Sequence, residues 1–341
     1  MKHLPAKYKA VVLPEYHPNV IRAMLGLKIK EKNIPILKEN EVLVKIEAAP
    51  INPSDIAFMQ GGYNIKKTTP CVPGFEGTGV VVKSGGSRSA RALEGKKVSC
   101  FTQKDSDGTW AEYFVTHPED CISLSNDMPI EQAACFAINP LTAYGLFETA
   151  RLNKSTAIIQ NASGSQVGNY IRALAEMAGT EVINIVRKKE TANMLKEEGA
   201  KHVLISSEDD FQDKLKDLSH LLKAKTAFDA VAGQMTGILY NAMPAGSKVL
   251  VYGGLSGQPI GNIAVLDAIF QDKHLRGFNL NAWRKAKTPE TIHEITGELQ
   301  QYFIEQKLVT HIQGSFRFDE IMDGLKKYLG GMSKGKILLT P

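Results

Sequence analysis

The clearest pattern of hydrophobic and polar positions lies in the middle of the chain, at residues 155–189. A short apolar run at 157–159 is typical of a strand buried on both faces, and a polar turn at 161–165 follows it. Apolar residues then recur at helical spacing until Gly179, where the helix is predicted to end, and 182–186 is a second apolar run. This order of strand, turn, helix and strand predicts a dinucleotide-binding βαβ unit.

The rest of the chain shows two kinds of pattern. Residues 7–125 contain short segments with period-2 alternation and no long helical period, which predicts an all-β region forming a small barrel or a partly closed sheet. Beyond about residue 129 strands alternate with helices, which predicts a doubly wound parallel sheet. The predicted strands are 8–13, 42–48, 77–83, 97–102, 109–115, 156–160, 182–186, 202–205, 227–231, 248–252 and 336–340, and the predicted helices begin at Pro129, cover 190–198 and begin at Pro289.

The turn before the central helix has the chemistry of an anion site. Its sequence, Ser163-Gly164-Ser165-Gln166-Val167-Gly168, occupies the positions of G-x-G-x-x-G with two glycines replaced by serine. Small residues let the backbone approach a pyrophosphate, and the free N–H groups of the first helical turn point at it. We predict that these six residues bind a dinucleotide, and the alternative is an ordinary Gly/Ser turn before an α/β helix.

The end of the second strand indicates which dinucleotide is bound. Arg187-Lys188-Lys189 follows this strand about 20 residues beyond Gly168, where an acidic residue would accept the ribose hydroxyl of NAD and an arginine would pair with the 2′-phosphate of NADP. No Asp or Glu occurs between Asn184 and Lys189. The prediction is NADPH as cofactor, and the alternative is a solvated basic start of the next helix.

Composition narrows the class of protein only a little. The 341 residues suffice for two domains, and 43% hydrophobic with 23% charged residues is ordinary for a globular protein. The net charge of +5 favours neither nucleic acid nor a membrane as partner. The four cysteines form no C-x-x-C pair and are predicted to be free thiols in a reducing compartment. With no apolar run of signal-peptide or membrane-spanning length, a cytoplasmic location is predicted.

Several stretches resemble the medium-chain dehydrogenase/reductase superfamily, and they are 49–55, 60–63, 73–77, 139–144 and 335–336. The resemblance implies an α/β protein with a GroES-like β-barrel-type catalytic domain and a Rossmann-type NADPH-binding domain. The implied boundaries are 1–128 with 272–341 for the first domain and 129–271 for the second. It also implies a homodimer formed through the sheet of the nucleotide domain.

The resemblance implies that the enzyme binds no zinc. Zinc alcohol dehydrogenases of the superfamily carry a catalytic Cys/His/Cys set, and the corresponding places here hold Asn52, Phe75 and Ile138. The four-cysteine structural zinc lobe is also missing. Without a Lewis acid to polarise an alcohol, the expected reaction is hydride delivery to an already polarised acceptor, either an enone-like C=C bond or a quinone.

Within the superfamily the chain is most similar to the NADPH-dependent trans-2-enoyl thioester reductases, in the stretches 49–55 with 60–63, 159–163, 183–187, and 275–280 with Trp283. This resemblance makes Tyr63 the catalytic residue, which donates a proton or polarises the thioester carbonyl, because a phenol with an ordinary pKa of about 10 stays protonated. Gly74-Phe75-Glu76 departs from the usual Gly-Asn-Glu and is more typical of quinone oxidoreductase-like members. Quinone reduction is therefore the alternative function, and NADPH binding without catalysis is the third.

The resemblance also implies the remaining site residues. Asn139 and Thr142 are expected near the nicotinamide, and the further expected cofactor contacts are Tyr252, Gly253, Gly254, Leu255, Phe278, Asn279, Leu280 and Lys336. The expected substrate pocket consists of Asn52, Tyr63, Phe75 and Trp283, with core packing as the alternative for Trp283. Asp55, in Pro-Ser-Asp, is predicted to cap a turn rather than to act as a base.

Overall fold

The structure is a computed structural model that describes residues 4–341, and in it the chain divides into two units. Unit 1 consists of two segments, the chain up to Asn139 and Glu294–Pro341. Unit 2 is Pro140–His293. The strands of the described residues are β1 Lys7–Val12, β2 Lys28–Asn33, β3 Val42–Pro50, β4 Glu76–Ser84, β5 Lys97–Phe101, β6 Tyr113–Thr116, β7 Cys121–Ser123, β8 Ala157–Gln160, β9 Glu181–Val186, β10 His202–Ile205, β11 Thr226–Asp229, β12 Lys248–Val251, β13 His274–Gly277, β14 Ile312–Arg317 and β15 Lys336–Thr340.

The α-helices of the described residues are α1 Val20–Gly26, α2 Pro53–Met59, α3 Arg88–Arg91, α4 Ile130–Ala134, α5 Asn139–Leu152, α6 Gln166–Met177, α7 Lys189–Glu197, α8 Phe211–Leu221, α9 Gln234–Ala242, α10 Val265–Phe270, α11 Leu280–Lys285, α12 Pro289–Ile304 and α13 Ile321–Gly330. Three short 3₁₀ segments lie at Pro118–Asp120, Phe318–Glu320 and Met332–Lys334. Within residues 4–341 no helix combines the length and the apolar composition needed to cross a membrane.

Unit 1 is built on a seven-stranded sheet with the order β14-β15-β3-β4-β5-β7, in which β6 also pairs with β3. The alternating apolar residues of β3 (Val42, Val44, Ile46) pack with Val98 and Phe114, as the period-2 pattern predicts. The predicted C-terminal strand is β15, which pairs antiparallel with β3. A separate two-stranded sheet joins β1 and β2.

The prediction that residues 7–125 are all-β is wrong in one respect, because α1, α2 and α3 interrupt the strands. Each is only four to seven residues long, too short to show a helical period, and capping defines their starts. The predicted strand 109–115 is also shorter and lies later in the chain, because the strand in the structure is β6, Tyr113–Thr116. The residues before it instead bond to a loop, where the N–H groups of Thr109 and Trp110 donate to the carbonyls of Gly74 and Pro73.

Unit 2 confirms the doubly wound sheet. Its six strands are all parallel, in the order β10-β9-β8-β11-β12-β13. From β8 the chain adds β9 and β10 on one side and then β11, β12 and β13 on the other. The strand order therefore reverses between β8 and β11, and ligands of such sheets bind at the carboxyl ends of the strands at this point.

The two units differ from the sequence-based domain division at both boundaries. Residues 274–277 form β13, which extends the unit 2 sheet beside β12, whereas the division places them in the first domain. In the other direction, α4 packs in unit 1, where Ala134 and Cys135 lie with Ala48 and Leu338. Sheet edges and helix docking depend on long-range contacts, which the local pattern does not contain.

Candidate active site

Tyr63 lies in unit 1, in the turn that follows α2. Its half-buried ring has its centroid 5.5 Å from that of Phe75, and its hydroxyl oxygen accepts a hydrogen bond of 2.8 Å from Nε2 of Gln103. Burial is the main cause that raises the pKa of Tyr63, against the opposing effect of the Gln103 hydrogen bond. The phenol is therefore protonated near neutral pH. Since its oxygen serves as an acceptor for Gln103, its own proton can be donated to another group.

Sequence reasoning missed Gln103. It lies 40 positions from Tyr63, in the loop after β5, and no local pattern marks it. Only the folded chain brings the two residues together.

Phe75 forms an apolar wall behind Tyr63. Its fully buried ring meets the Phe58 ring edge-on, with 5.2 Å between the centroids. The ammonium of Lys67 lies 5.4 Å from the Phe75 centroid and 5.6 Å from the Phe58 centroid. Lys67 is itself buried, with its nitrogen 3.4 Å from the carbonyl of Val72, and burial lowers its pKa. The wall that the sequence predicted is thus backed by a cation that the sequence did not reveal.

A buried polar cluster occupies the start of α2 and the start of β4. The Asn52 amide donates to Oε2 of Glu76 at 3.0 Å, and its oxygen accepts from the ammonium of Lys336. Oε1 of Glu76 accepts from the N–H of Ile138 at 2.7 Å. Asp55 accepts from the N–H of Asn52 at 2.7 Å, which confirms its prediction as a capping carboxylate. Burial is the main cause that raises the pKa values of Asp55 and Glu76, each to about 7.

This cluster accounts for the polar atoms of two predicted site residues. Asn52 was expected in the substrate pocket and Lys336 at the cofactor, yet both are almost fully buried and bond to each other within unit 1. Their roles toward a ligand stay predictions, and the structure assigns each of them a hydrogen-bonding role in the cluster.

In unit 2 the predicted phosphate turn connects β8 with α6. The Ser163 hydroxyl faces inward, where it donates to the carbonyl of Gln160 at 2.9 Å and accepts from the N–H of Ile185 at 3.0 Å. Ser165 is the N-cap of α6, and its oxygen accepts from the N–H of Gly168 at 3.2 Å. The two serines that replace glycines therefore fix the turn to both neighbouring strands and to the helix.

Two glycines of this turn lie where a larger residue would clash with neighbouring atoms. A Cβ on Gly168 would lie 2.6 Å from the carbonyl oxygen of Ser163, and one on Gly164 would lie 2.6 Å from Thr191 Cγ2. The first turn of α6 contains no acidic residue, so no side-chain charge opposes an anion at its N-terminus. These features favour pyrophosphate binding at residues 164–167.

A hydrogen-bonded carboxylate lies at the point where the strand order reverses. The Asn161 amide, at the end of β8, donates to Asp229 at 2.6 Å, and its oxygen accepts from the N–H of Ala230 at 2.7 Å. Asp229 also accepts from the N–H of Ala232 at 2.9 Å and from the Thr236 hydroxyl at 2.5 Å. These bonds join the carboxyl ends of β8 and β11. No local sequence pattern marks this pair, whose members lie 68 positions apart.

The predicted stretch 252–255 follows β12 at the same edge of the sheet. A Cβ on Gly253 would lie 2.6 Å from the carbonyl oxygen of Ala230, whereas one on Gly254 would meet nothing within 4 Å. The buried hydroxyl of Tyr252 has no hydrogen-bond partner of normal geometry among residues 4–341. Gly254 thus leaves an open backbone position at this edge of the sheet, where a ligand could approach the main chain.

The remaining predicted cofactor contacts lie at strand and helix ends of the chain. Arg187, Lys188 and Lys189 are exposed after β9, and the residues 139 and 142 lie in the first turn of α5. Asn279 caps α11 by accepting from the N–H of Ala282. The exposure of the basic residues leaves them accessible to a phosphate.

Trp283 lies in unit 2, on α11. Its indole N–H donates to Glu148 of α5 at 2.8 Å, and the ammonium of Lys287 lies 4.9 Å from its ring centroid. The ring of Phe278 and that of Trp283 both lie against Gly145, where a Cβ would come within 3 Å of either. Trp283 therefore packs against α5, and its role as a pocket wall stays a prediction.

The positions of a catalytic zinc site hold no ligand of the usual kind. Asn52, Phe75 and Ile138 offer no thiolate, imidazole or carboxylate, and both polar atoms of the Asn52 amide are bonded. Residues 4–341 contain no group of three or more His, Cys, Asp and Glu residues arranged to hold a metal ion.

A GroES-like sheet unit joined to a dinucleotide-type parallel sheet defines the class of the alcohol dehydrogenase-like reductases. Two family profiles agree, since the alcohol dehydrogenase GroES-like domain matches residues 38–126 and the zinc-binding dehydrogenase domain matches residues 167–297. The chain belongs to the medium-chain dehydrogenase/reductase superfamily, in the zinc-independent branch that contains the relatives described next.

The relatives include mitochondrial enoyl-[acyl-carrier-protein] reductases. The Arabidopsis thaliana protein is 30% identical over 96% of this chain and 86% of its own length, and the human protein is 31% identical over 85% and 77%. Among solved structures, a Mesorhizobium loti protein whose proposed activity is NADPH:quinone reduction has a TM-score of 0.92, with 30% identity over 99% of this chain and all of its own. A mitochondrial 2-enoyl thioester reductase heterodimer from Candida tropicalis has a TM-score of 0.81, with 25% identity over 98% of this chain and all of its own.

Proposed function

We propose that this chain is an NADPH-dependent, zinc-independent reductase that delivers hydride to an activated C=C bond, with trans-2-enoyl thioesters as its substrates. The observation that carries the proposal is the protonated phenol of Tyr63, held by Phe75 and by the Gln103 amide. The enoyl-[acyl-carrier-protein] reductase relatives, which match most of the chain, support this choice of substrate.

The residues of unit 1 have roles that follow from their bonds. Gln103 fixes the phenol oxygen, so the proton of Tyr63 is directed to the thioester carbonyl of a bound substrate. There it stabilises the negative charge that develops on the carbonyl oxygen as hydride reaches C3. Phe75 excludes water behind the phenol, which strengthens this hydrogen bond.

The cofactor would be held by unit 2. Bound NADPH would supply the hydride. The backbone of 164–167 would bind its pyrophosphate, and Arg187 with Lys188 and Lys189 would bind its 2′-phosphate. At the end of β12, the open backbone position of Gly254 would let the cofactor approach the main chain. Asn139 and Thr142, Phe278 to Leu280 and Lys336 stay proposed contacts that come from the superfamily resemblance.

The test measures NADPH oxidation by absorbance with a short 2-enoyl thioester and with a simple quinone. Tyr63→Phe is expected to lower thioester turnover by about 10²-fold or more, because the proton donor is lost while the ring stays. Gln103→Leu should lower it by about 10-fold, since the phenol stays but loses its fixed orientation. Tyr113→Phe, at another half-buried tyrosine of unit 1, is the matched control and should leave turnover unchanged.

Quinone reduction is the second candidate, favoured by the fully buried phenylalanine at position 75 and by the Mesorhizobium loti neighbour. It predicts quinone turnover that Tyr63→Phe does not change and no turnover of enoyl thioesters of any chain length. NADPH binding without turnover of either acceptor would instead indicate a non-catalytic NADPH-binding protein.

The cofactor choice has its own test. Arg187→Ser is expected to reduce the preference for NADPH over NADH in kcat/KM by roughly 10- to 100-fold, the loss of one or two charge-assisted hydrogen bonds. Lys201→Ser, at an exposed lysine of unit 2, is the control. A preference unchanged by Arg187→Ser would remove Arg187 from the 2′-phosphate site.

We also propose that the protein is a homodimer formed at the open edge of the unit 2 sheet. All four residues of β13 are exposed, and α10 beside it in sequence exposes Val265, Leu266, Ile269 and Phe270 to between 61% and 77%. An unpaired edge next to an apolar helix face suits pairing with a second copy. Phe270→Glu should convert the dimer to monomer in light scattering, while Leu221→Glu, at an equally exposed residue of α8, should not.

The proposed location is the cytoplasm, and the relatives named as mitochondrial make that organelle the alternative. Imaging of the full chain with a C-terminal tag separates the two.

A further inference from the structure

Two thiols face each other across neighbouring strands of unit 1. Cys100 of β5 and Cys121 of β7 are direct partners in the antiparallel register, and their sulfur atoms lie 3.7 Å apart. Both are free. A disulfide has a sulfur–sulfur bond of about 2.0 Å, so the side chains need only a small approach and no change of strand register.

The two thiols have different surroundings. Cys121 is partly exposed on β7, the strand at the edge of the sheet, whereas Cys100 is fully buried between β4 and β7. Contact with Cys121 and burial raise the pKa of Cys100 well above its ordinary value. Cys121 is therefore the thiol that a dissolved oxidant meets first, and Cys100 is placed to attack the product.

We propose that Cys100 and Cys121 form an oxidation site at which a peroxide produces a reversible intramolecular disulfide. The Cys121 thiolate attacks hydrogen peroxide, the O–O bond breaks, and sulfenic acid and hydroxide form. The Cys100 sulfur then attacks the Cys121 sulfur and the S–OH bond breaks, releasing water as the Cys100 proton leaves. In sum, two thiols are oxidised and one peroxide is reduced to two water molecules. A dithiol reductant reverses the bond by exchange.

The bond would lie within the frame that carries the candidate active site. On its other side Cys100 pairs with Gly77, the residue after Glu76, and β5 leads directly into the loop of Gln103. The disulfide would tie the edge strand β7 to β5 and close a loop of about 20 residues, which constrains the unfolded chain.

The other two cysteines serve as internal controls. Burial raises the pKa of Cys71 to about 11, and burial also raises the pKa of the fully buried Cys135. Neither is expected to react under conditions that oxidise Cys121.

The experiment treats the reduced full-length protein with one equivalent of hydrogen peroxide. The intact mass is expected to fall by about 2 Da and to recover with dithiothreitol. Cleavage with trypsin and a glutamate-specific protease releases Cys100 in Val98–Lys104 and Cys121 in Asp120–Glu131, apart from Cys135. A linked pair of these two peptides is the expected product.

Two variants identify the order of events. In Cys100→Ser the sulfenic acid should accumulate at Cys121, where a cyclic 1,3-dione traps it, and Cys121→Ser should show no loss of mass and no trapping at Cys100. Cys71→Ser should behave as wild type. A linkage between two chains, a loss of 2 Da that persists in Cys121→Ser, or over-oxidised Cys121 beside free Cys100 would each overturn the proposal, and the wild-type peptide map decides this even if a variant fails to fold.

Discussion

Both units bury carboxylates that accept hydrogen bonds from neutral groups, but the units differ in the charges that lie nearby. In unit 2, the hydrogen bonds that Asp229 accepts within residues 4–341 come from neutral groups, which are an amide side chain, backbone N–H groups and the Thr236 hydroxyl. These donors are Asn161, directly after β8, and groups within the ten residues after β11. The site is complete without any counter-ion.

In unit 1, the hydrogen bonds that Asp55 and Glu76 accept also come from neutral groups, but buried lysines lie near them. The charge of Lys336 acts on both carboxylates, and that of Lys67 acts on Asp55. Burial raises both pKa values to about 7, and Lys336 is the main nearby charge that opposes this rise for Glu76. The three carboxylates are equally buried, yet their surroundings differ between the two units. Asp229 is part of the scaffold through its neutral donors, whereas the stability that Asp55 and Glu76 contribute depends on pH and on Lys336, which is 260 or more positions away.

Removal of the cation should have the largest effect. Lys336→Met removes the nearby cation of Glu76 and leaves only Lys67 near Asp55, and at pH 8 it is expected to lower the free energy of unfolding by about 3–5 kcal/mol. At pH 5 the loss should be smaller, because protonated carboxyls need no cation. Urea unfolding followed by the fluorescence of Trp110, in a Trp283→Phe background, measures this in unit 1.

Lys326→Met is the control, since this lysine is exposed on α13. An equal loss at pH 5 and pH 8 would show that Lys336 contributes packing rather than charge.

Neutralising one carboxylate in each unit should separate the two designs. Glu76→Gln places an amide NH₂ against a donor whichever way it turns, because Ile138 donates to one oxygen and Asn52 to the other. Asn52 cannot rotate to help, since its own oxygen accepts from Lys336. The expected loss in unfolding free energy is about 2–3 kcal/mol.

In Asp229→Asn the amide oxygen can keep the N–H donors, and the hydroxyl of Thr236 can turn to accept from the new NH₂. A loss of about 1 kcal/mol or less is expected. Comparison of urea midpoints for the two variants tests the pair, and equal losses would contradict the distinction between the units.

The third expectation concerns pH. Because the folded-state pKa values of Asp55 and Glu76 lie above their unfolded values, the native state binds more protons than the unfolded chain between about pH 4 and 7. Stability from these groups is therefore fully present at the acid end and is lost as pH rises to 7. The slope should approach 1.4 kcal/mol per pH unit for each linked proton.

Thermal unfolding between pH 5 and 8 measures that slope. Glu76→Gln removes one of the two linked groups and should flatten it by about half. A wild-type stability that rises with pH across this window would contradict the assignment.

Most strands of unit 2 were predictable because they contain a short apolar run that is followed by a local turn signal. The strand predicted at 202–205 coincides with β10, and those predicted at 182–186 and 248–252 differ from β9 and β12 by one residue. Strands with little burial were missed. All residues of β13 are exposed, and β2 reads Lys-Ile-Lys-Glu-Lys-Asn with no apolar face. Their pairing depends on the neighbouring strand rather than on their own sequence.

The candidate site divides in the same way. The turn between β8 and α6 could be predicted because all its residues are adjacent in sequence, and its phosphate-binding role stays a prediction. Tyr63 was identified as a candidate only through resemblance. Its partner Gln103, the Lys67 cation and the pair Asn161 and Asp229 could not be predicted. Each depends on residues brought together from distant positions, and a single sequence contains no periodicity that links them.

The smallest effect should come from two adjacent glycines at the end of β12. In Gly253→Ala the new methyl group would lie 2.6 Å from the carbonyl oxygen of Ala230, a residue that cannot shift because its N–H is bonded to Asn161. A loss of about 1 kcal/mol in unfolding free energy is expected. Gly254→Ala meets nothing within 4 Å and should change stability by less than about 0.5 kcal/mol.

If residues 252–255 bind NADPH, the order of the two variants reverses for the cofactor. The open position at Gly254 is where a ligand would approach, so Gly254→Ala should weaken NADPH binding in a fluorescence titration while leaving stability unchanged. Equal stability of both variants would show that Asn161 does not hold the end of β11 rigidly, and the unit 2 carboxylate would then not be the fixed scaffold that its neutral donors imply.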